Sequence, residues 1–176
     1  MANIDAPRGL TPWNGDGSSP RLRLYKGGTT TSVGRGDVVA LASNGRIHRI
    51  ATTTGSASIV GVAANYVAAP ASGVTTPTDV WVYDDPHQSF VIQDDGDSAT
   101  PAQSSVGSTF AMILGAPNTT TGNSIQEIDA SATGVATTDP LLVTGFLEGP
   151  GFEIGKYAKH IVQLNRHIYR HRSAGI

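Results

Sequence analysis

Five histidines, fourteen carboxylates and many Ser and Thr hydroxyls are the groups of this 176-residue sequence that could do chemistry, and no cysteine joins them. Without cysteine there is no disulfide, no thiolate nucleophile and no thiolate metal ligand. Nucleotide chemistry lacks its anchors. No glycine-rich phosphate loop ending in Gly-Lys-Ser/Thr occurs, and Gly15-Asp16-Gly17 and Gly34-Arg35-Gly36 both lack the third glycine of a dinucleotide fingerprint. No G-x-S-x-G elbow presents a serine nucleophile. His167 and His171 stand four apart, which on a helix would put both imidazoles on one face. No H-E-x-x-H accompanies them, and the arginines around them disfavour a metal cation. Asp84, Asp85 and His87, or Asp94, Asp95 and Asp97, could form an oxygen-rich shell, but neither set has the spacing of a calcium loop. Aspartate is common in turns because its side chain bonds its own backbone, which is the expectation here. Paired carboxylates can hydrolyse glycosides when suitably separated. The acids of this sequence fall in turns, so solvent exposure and ordinary pKa values are expected. No catalytic residue, metal ligand or cofactor is therefore anticipated.

The elements that would position any site read as strands. Arg21–Tyr25 alternates polar and apolar, the period of a half-buried strand. Asp37–Leu41 is a second, and Ser43-Asn44-Gly45 predicts a hairpin returning through Arg46–Ile50. Ile59–Ala63 reads as a buried strand in which Gly61 admits a close approach. Val80–Tyr83 follows, with Trp81 expected in the core. Asp84-Asp85-Pro86 turns it, and Ser89–Gln93 is expected to pair back. Pro101–Leu114 is ambiguous between strand and short helix. Ile125–Ile128, Leu141–Leu147 and Lys159–Leu164 complete roughly nine strands. Gly and Pro together number 31 and charged residues are 15%, below the ~25% of ordinary soluble domains. The expected fold is all-β, a β-barrel or a jelly-roll-like sandwich over residues 21–165.

The ends differ from the middle. Residues 1–20 hold Pro7, Pro12 and Pro20 and show no periodicity, which predicts an extended N-terminal arm with a reach on the order of 65–70 Å. Trp13 argues that this arm is anchored, since a large aromatic gains most from burial. Residues 166–176 form a basic C-terminal tail. Residues 1–50 carry seven Lys/Arg against three Asp; 51–155 carry eleven acids and no Lys or Arg; 156–176 carry five Lys/Arg and no acid. This asymmetry suggests a charge-directed contact, or neutralisation within one fold. Basic ends interleaved with Tyr157 and Tyr169 could bind nucleic acid, but the acidic middle would repel phosphate, so no direct nucleic-acid partner is expected. No apolar run is long enough to span a membrane, and the start lacks the apolar region of a signal peptide.

Several stretches carry a resemblance. Met1-Ala2-Asn3 to Ala6-Pro7-Arg8-Gly9-Leu10-Thr11-Pro12 resembles the start of many tailed-bacteriophage head proteins. Gly36-Asp37-Val38-Val39-Ala40-Leu41, Gly45-Arg46-Ile47 and Ile59-Val60-Gly61-Val62-Ala63 are similar to the barrel core of capsid cement, or head decoration, proteins. Val82-Tyr83-Asp84-Asp85-Pro86 to Phe90-Val91-Ile92-Gln93, and Gly151-Phe152-Glu153-Ile154-Gly155 to Val162-Gln163-Leu164-Asn165, look similar to phage structural proteins as well. Asn14 to Ser19 has no counterpart. The resemblance implies a non-enzymatic virion protein, assembled in the host cytoplasm. It would bind the outside of the mature capsid and bridge neighbouring capsomers of the major capsid protein, usually as a homotrimer. Its contact would use Ala2–Trp13 and the basic C-terminal segment. The residues assigned to it are Ile4, Pro7, Arg8, Leu10, Trp13, Arg21, Arg23, Lys156, Lys159, Arg166, Arg170 and Arg172, with the acidic middle facing solvent. Two other classes stay open. A tail or carbohydrate-binding β-module would show exposed aromatics in a groove. A small cupin-type enzyme would need clustered His and Glu on strands, and His48 and His160 alone fall short of that.

Overall fold

Where β-branched and aromatic residues alternate with polar ones the chain extends, as that pattern favours. The computed structural model describes residues 3–15, 17, 19–28, 30–51, 58–71, 76–97, 102–134 (backbone alone at 132–134) and 138–170. Among these residues eleven strands form: β1 (Thr11–Trp13), β2 (Leu22–Lys26), β3 (Val38–Leu41), β4 (Ile47–Arg49), β5 (Ile59–Ala63), β6 (Asp79–Tyr83), β7 (Ser89–Gln93), β8 (Thr109–Ile113), β9 (Glu127–Gly134), β10 (Leu141–Phe146) and β11 (Lys159–Leu164). A single 3-10 turn at Gln103–Ser105 precedes β8, so the ambiguous stretch 101–114 holds both a helical turn and a strand. β1 lies inside the segment read as an arm.

Every ladder is antiparallel. β1-β7-β11-β10-β8-β9 form one sheet and β2-β6-β5-β3-β4 the other. Neither closes into a barrel. Isolated bridges link Asp94, just past β7, with Ile128 of the edge strand β9, and Gly27, just past β2, with Ile47 of β4. The Asn44-Gly45 hairpin joins β3 to β4 with Leu41 opposite Ile47, as the sequence predicts. The expected β6–β7 hairpin does not form. β6 pairs with β2 and β5, while β7 crosses to the other sheet and lies between β1 and β11. Both strands carry a usable apolar face, and local pattern does not say which sheet a strand joins.

The main core lies between the sheets. Phe90, Ile92, Phe110, Met112, Leu141 and Val162 of the six-stranded sheet meet Val38, Ala40, Ile59 and Val62 of the other. The second face of the five-stranded sheet is covered too: Val39, Val60, Ala63, Val80 and Val82 pack with Val33, Val67 and Ile168. β5 serves both faces through a bulge, because the register against β3 slips between Val39–Gly61 and Ala40–Ile59. Ile59 and Val62 therefore point into one core and Val60 and Ala63 into the other.

Trp81 is not core. It is 47% exposed, because Val80 and Val82 take the buried face of β6 and the alternation sends Trp81 to the other side. There it sits opposite Leu24, beside exposed Leu22.

Candidate functional site

The N-terminal segment is laid along the body. The Asn3 amide donates to the carbonyls of Glu153 and Lys156 at 2.8 and 2.9 Å, and the Glu153 N–H donates back to Asn3. Ala6 N–H donates to Gln93 Oε1. Gly9, at φ +66°, lies so close to the Gly36 carbonyl and Ser124 that a Cβ would overlap both. Leu10 N–H donates to the Gly36 carbonyl at 2.9 Å and its side chain is buried. β1 then pairs with β7, Thr11 opposite Val91 and Trp13 opposite Ser89.

This path leaves two adjoining hollows that share Arg8, Thr11 and Pro12. One, of about 220 Å³, is closed by Arg35, Tyr83 and Asn123 over buried Leu10. The other, of about 310 Å³, is walled by Trp13, Leu147 and Phe152, with Gln93 and Lys159 at its side. Their linings hold three cations, Arg8, Arg35 and Lys159, and no carboxylate. The acid-free stretch ends at Trp13, beyond which a third hollow carries Asp85 and His87.

Behind the second hollow Gln93 is a hub. Its Oε1 accepts from Lys159 Nζ at 2.6 Å, and its Nε2 donates to Asp5 at 3.2 Å and to Glu127 at 3.4 Å. Burial pushes the Glu127 carboxyl up to about 7, with Asp5, Asp95 and Asp94 adding to the rise and Lys159 opposing it. Burial and Arg8 hold Lys159 below its ordinary value. Because the folded protein keeps the Glu127 proton more tightly than the unfolded chain, this group costs stability as pH rises from about 4.5 to about 7, and adds no further loss above that. Glu127→Gln is expected to lose less stability than the wild type across that window. Denaturant midpoints measured at its two ends check this, and equal slopes for the two proteins would refute it.

A second surface surrounds Asp84, which is fully buried. Arg21 Nε and Arg23 Nε approach its carboxylate oxygens at 2.9 and 3.0 Å, and the Tyr25 hydroxyl donates at 2.9 Å. Tyr25 also meets the Tyr169 hydroxyl at 3.1 Å, and Arg23 lies over the Tyr169 ring at 5.8 Å. Arg21 and Arg23 are thus half-exposed cations already engaged with an internal acid. Asp84→Ala is expected to cost about 2 kcal/mol, less than a wholly buried pair, because both guanidiniums can turn to water. Thermal melts of Asp84→Ala and Arg21→Ala test the origin: a loss from Asp84→Ala no larger than that from Arg21→Ala would discount the shared acceptor.

Asp5, Asp79, Glu148 and Glu153 are exposed as the sequence suggested, but other acids are not. Asp37, Asp84, Asp94 and Asp139 are buried, and burial raises the carboxyls of Asp37 and Asp95 as well as Glu127. The acidic middle therefore does not simply face solvent. Asp94 accepts from the backbone N–H of Gly96, Tyr157 and Ala158, with His160 Nε2 at 3.5 Å. Asp95 and Asp97 group with Asp129 instead, their carboxylate oxygens within 4.8 Å of one another. Three carboxylates supply at most six oxygens, so calcium there would need backbone oxygens or water to complete a shell of about six to eight. His167 is buried and accepts from the Tyr169 N–H through Nδ1; burial lowers its pKa to about 4.

Of the residues assigned to a contact, Arg8, Trp13 and Lys159 converge on the groove. Leu10 is core, so its side chain is unavailable to a partner. Ile4 is 78% exposed and Pro7 is half-buried beside the groove residues. Lys156 is exposed and ties down Asn3 through its carbonyl. Arg166 is half-buried and Arg170 donates to Gln163. Arg172 and Ala2 lie outside the described residues, as does His171. Sequence reasoning missed Arg35, Leu147 and Phe152 in the groove and the hub role of Gln93. The one usable signal was an arginine, Arg35, set between two glycines. Among the described residues, no helix is long and apolar enough to cross a membrane. The chain matches no protein-family model, no curated protein and no solved structure.

Proposed function

We propose that this chain is a non-enzymatic structural subunit of a tailed-phage particle. It docks on the outside of the assembled head and cements neighbouring capsomers of the major capsid protein, acting as a homotrimer. The fold-level form of the proposal is a two-sheet β-sandwich whose N-terminal segment and C-terminal residues make the contact. The observation that carries it is the groove astride β1, where Arg8, Trp13 and Lys159 from both ends of the chain line one acid-free surface. A binder that recognises assembled geometry stabilises a shell by mass action, and three copies engaged together add avidity.

Cryo-electron microscopy of heads carrying and lacking the chain tests this directly. The expected result is density for the subunit at threefold positions and heads that resist heating better when it is present. Heads without such density overturn the proposal. Light scattering on the purified protein, and on protein released from heads, is expected to return the mass of three 18.2 kDa chains in at least the second sample.

Trp13 and Phe152 in one groove also favour a second reading, a carbohydrate-binding β-module of a tail. Saturable change in tryptophan emission on adding sugars, absent in Trp13→Ala but kept in Trp81→Ala, would select it.

A further inference from the structure

We infer that the groove astride β1 takes an acidic, apolar-anchored polypeptide segment, a glutamate- or aspartate-bearing stretch of its partner followed by a large apolar side chain. The inference rests on the docking reading above and names the partner's chemistry.

Charge complementarity carries it. The sequence as a whole is net negative, yet the two hollows expose Arg8, Arg35 and Lys159 and not one carboxylate. Among the described residues Arg8 and Arg35 make no ion pair, in contrast with Arg21, Arg23 and Lys26, which engage Asp84 or Asp79. An arginine held at a groove without an internal acid is open to a carboxylate from outside, and its planar fork suits bidentate binding. The positions are set by backbone. The Arg8–Leu10 stretch is pinned to Gly36 by the Leu10 N–H, which brings Arg8 alongside Arg35.

The groove changes character along its length. At the Arg35 end the lining adds Asn123 and Tyr83, both polar; at the other it becomes Trp13, Leu147 and Phe152. Phe152 is 38% exposed and Trp13 half-buried, so an apolar side chain seated there would cover surface now in water. Lys159 already donates to Gln93 Oε1 at 2.6 Å, and burial and Arg8 disfavour its charged form. Arg8 and Arg35 are accordingly the principal carboxylate binders. A nucleic-acid strand would also meet these cations, but it would need them repeated along a track. Here Arg35 and the shared Arg8 give way to an apolar wall of Trp13, Leu147 and Phe152, where the single cation, Lys159, is already bonded to Gln93.

Fluorescence anisotropy on the full chain tests the inference. The probes are a labelled short peptide carrying two glutamates and then a phenylalanine, the same peptide with lysines for the glutamates, and a single-stranded oligonucleotide. The acidic peptide is expected to bind and to weaken as salt rises. The double variant R8E/R35E is expected to lose about tenfold or more in affinity, and R46E, in the β3–β4 turn outside both hollows, to bind as wild type. Both arginines are exposed, so the double variant should fold, and circular dichroism checks that it does. Equal binding of the acidic peptide by R8E/R35E and wild type overturns the inference, as does preference for the lysine peptide or the oligonucleotide. Co-sedimentation with heads separates the two levels. If R8E/R35E sediments as wild type does, the groove is not the contact while the shell reading stands. If the peptide binds but the wild-type chain stays in the supernatant, the groove stands and the shell reading falls.

Discussion

Replacing Gly61 by valine is expected to leave little or no folded protein at ordinary temperatures. A Cβ at this position would overlap the backbone carbonyl oxygen of Tyr83 on the neighbouring strand, with Val82 Cγ1 close behind at 2.9 Å. The obstacle is backbone in a central strand, so no rotamer change relieves it. β5 would have to move off β6, and its five residues are all buried. It would also lose the bulge that lets Ile59 and Val62 serve one core while Val60 and Ala63 serve the other. A loss of about 4 kcal/mol or more is expected from overpacking combined with displaced core side chains. That is a large share of the roughly 5–15 kcal/mol by which domains are stable. Gly145→Ala is the matched control. The added methyl there meets only Ile161 Cδ1 at 3.9 Å, so a change within about 0.5 kcal/mol is expected. Urea midpoints of the two variants decide the matter. If Gly61→Val melts with the wild type, the close approach of β5 and β6 described above is wrong.

Asp94→Ala should be the next most damaging change. The carboxylate is fully buried and accepts three backbone hydrogen bonds, from Gly96 at 2.7 Å, Tyr157 at 2.9 Å and Ala158 at 2.8 Å. Those donors belong to two turns, one leaving β7 and one entering β11, so a single side chain holds the ends of paired strands together. Tyr157 adopts a left-handed φ of +57°, a conformation that a bulky residue keeps only under such external restraint. Removing the carboxylate strands the Gly96 and Tyr157 donors, each at about 1–3 kcal/mol, and leaves the Ala158 N–H only the Gly155 carbonyl at 3.1 Å; a net cost of about 3–5 kcal/mol is expected. Asp94→Asn keeps one acceptor oxygen and should fall between. Hydrogen exchange at Tyr157 and Ala158 should accelerate before global unfolding does. Equal stabilities for the alanine and asparagine variants would mean that the hydrogen bonds are not what the carboxylate contributes.

Much of the strand inventory was legible because strand periodicity is local. Arg21–Tyr25 announces a β period within five residues, Asp37–Leu41, Ile59–Ala63 and Lys159–Leu164 are short apolar, β-branched runs, and the Asn44-Gly45 hairpin follows from two residues that tolerate positive φ. Gly61 was readable for the same reason, as a gap in an otherwise β-branched run. β1 was not, since Thr11-Pro12-Trp13 has no alternation and owes its extension to β7. β9 starts two residues after the beginning of the Ile125–Ile128 stretch and ends six residues beyond it, because its polar continuation is drawn out by pairing with β8.

The site was less legible than the fold. Arg8, Trp13 and Lys159 could be proposed from charge and aromaticity, but nothing local joins Arg8 to Arg35 or Trp13 to Phe152. Those contacts depend on where β1 docks. Misplaced expectations share this cause: Trp81 and Leu10 exchange their anticipated environments because burial is a property of the neighbouring sheet.

By itself, then, the sequence determined the β class, the turn positions, the absence of thiol chemistry and the unequal distribution of charge. These depend on composition and on interactions spanning a few residues. Tertiary structure alone decided that β6 and β7 part into different sheets, that Asp84 and Asp94 go inside, and which arginines, among the described residues, stay without an internal acid. Those outcomes turn on long-range pairing, where apolar faces of similar quality compete and the winner is set by how the whole core packs.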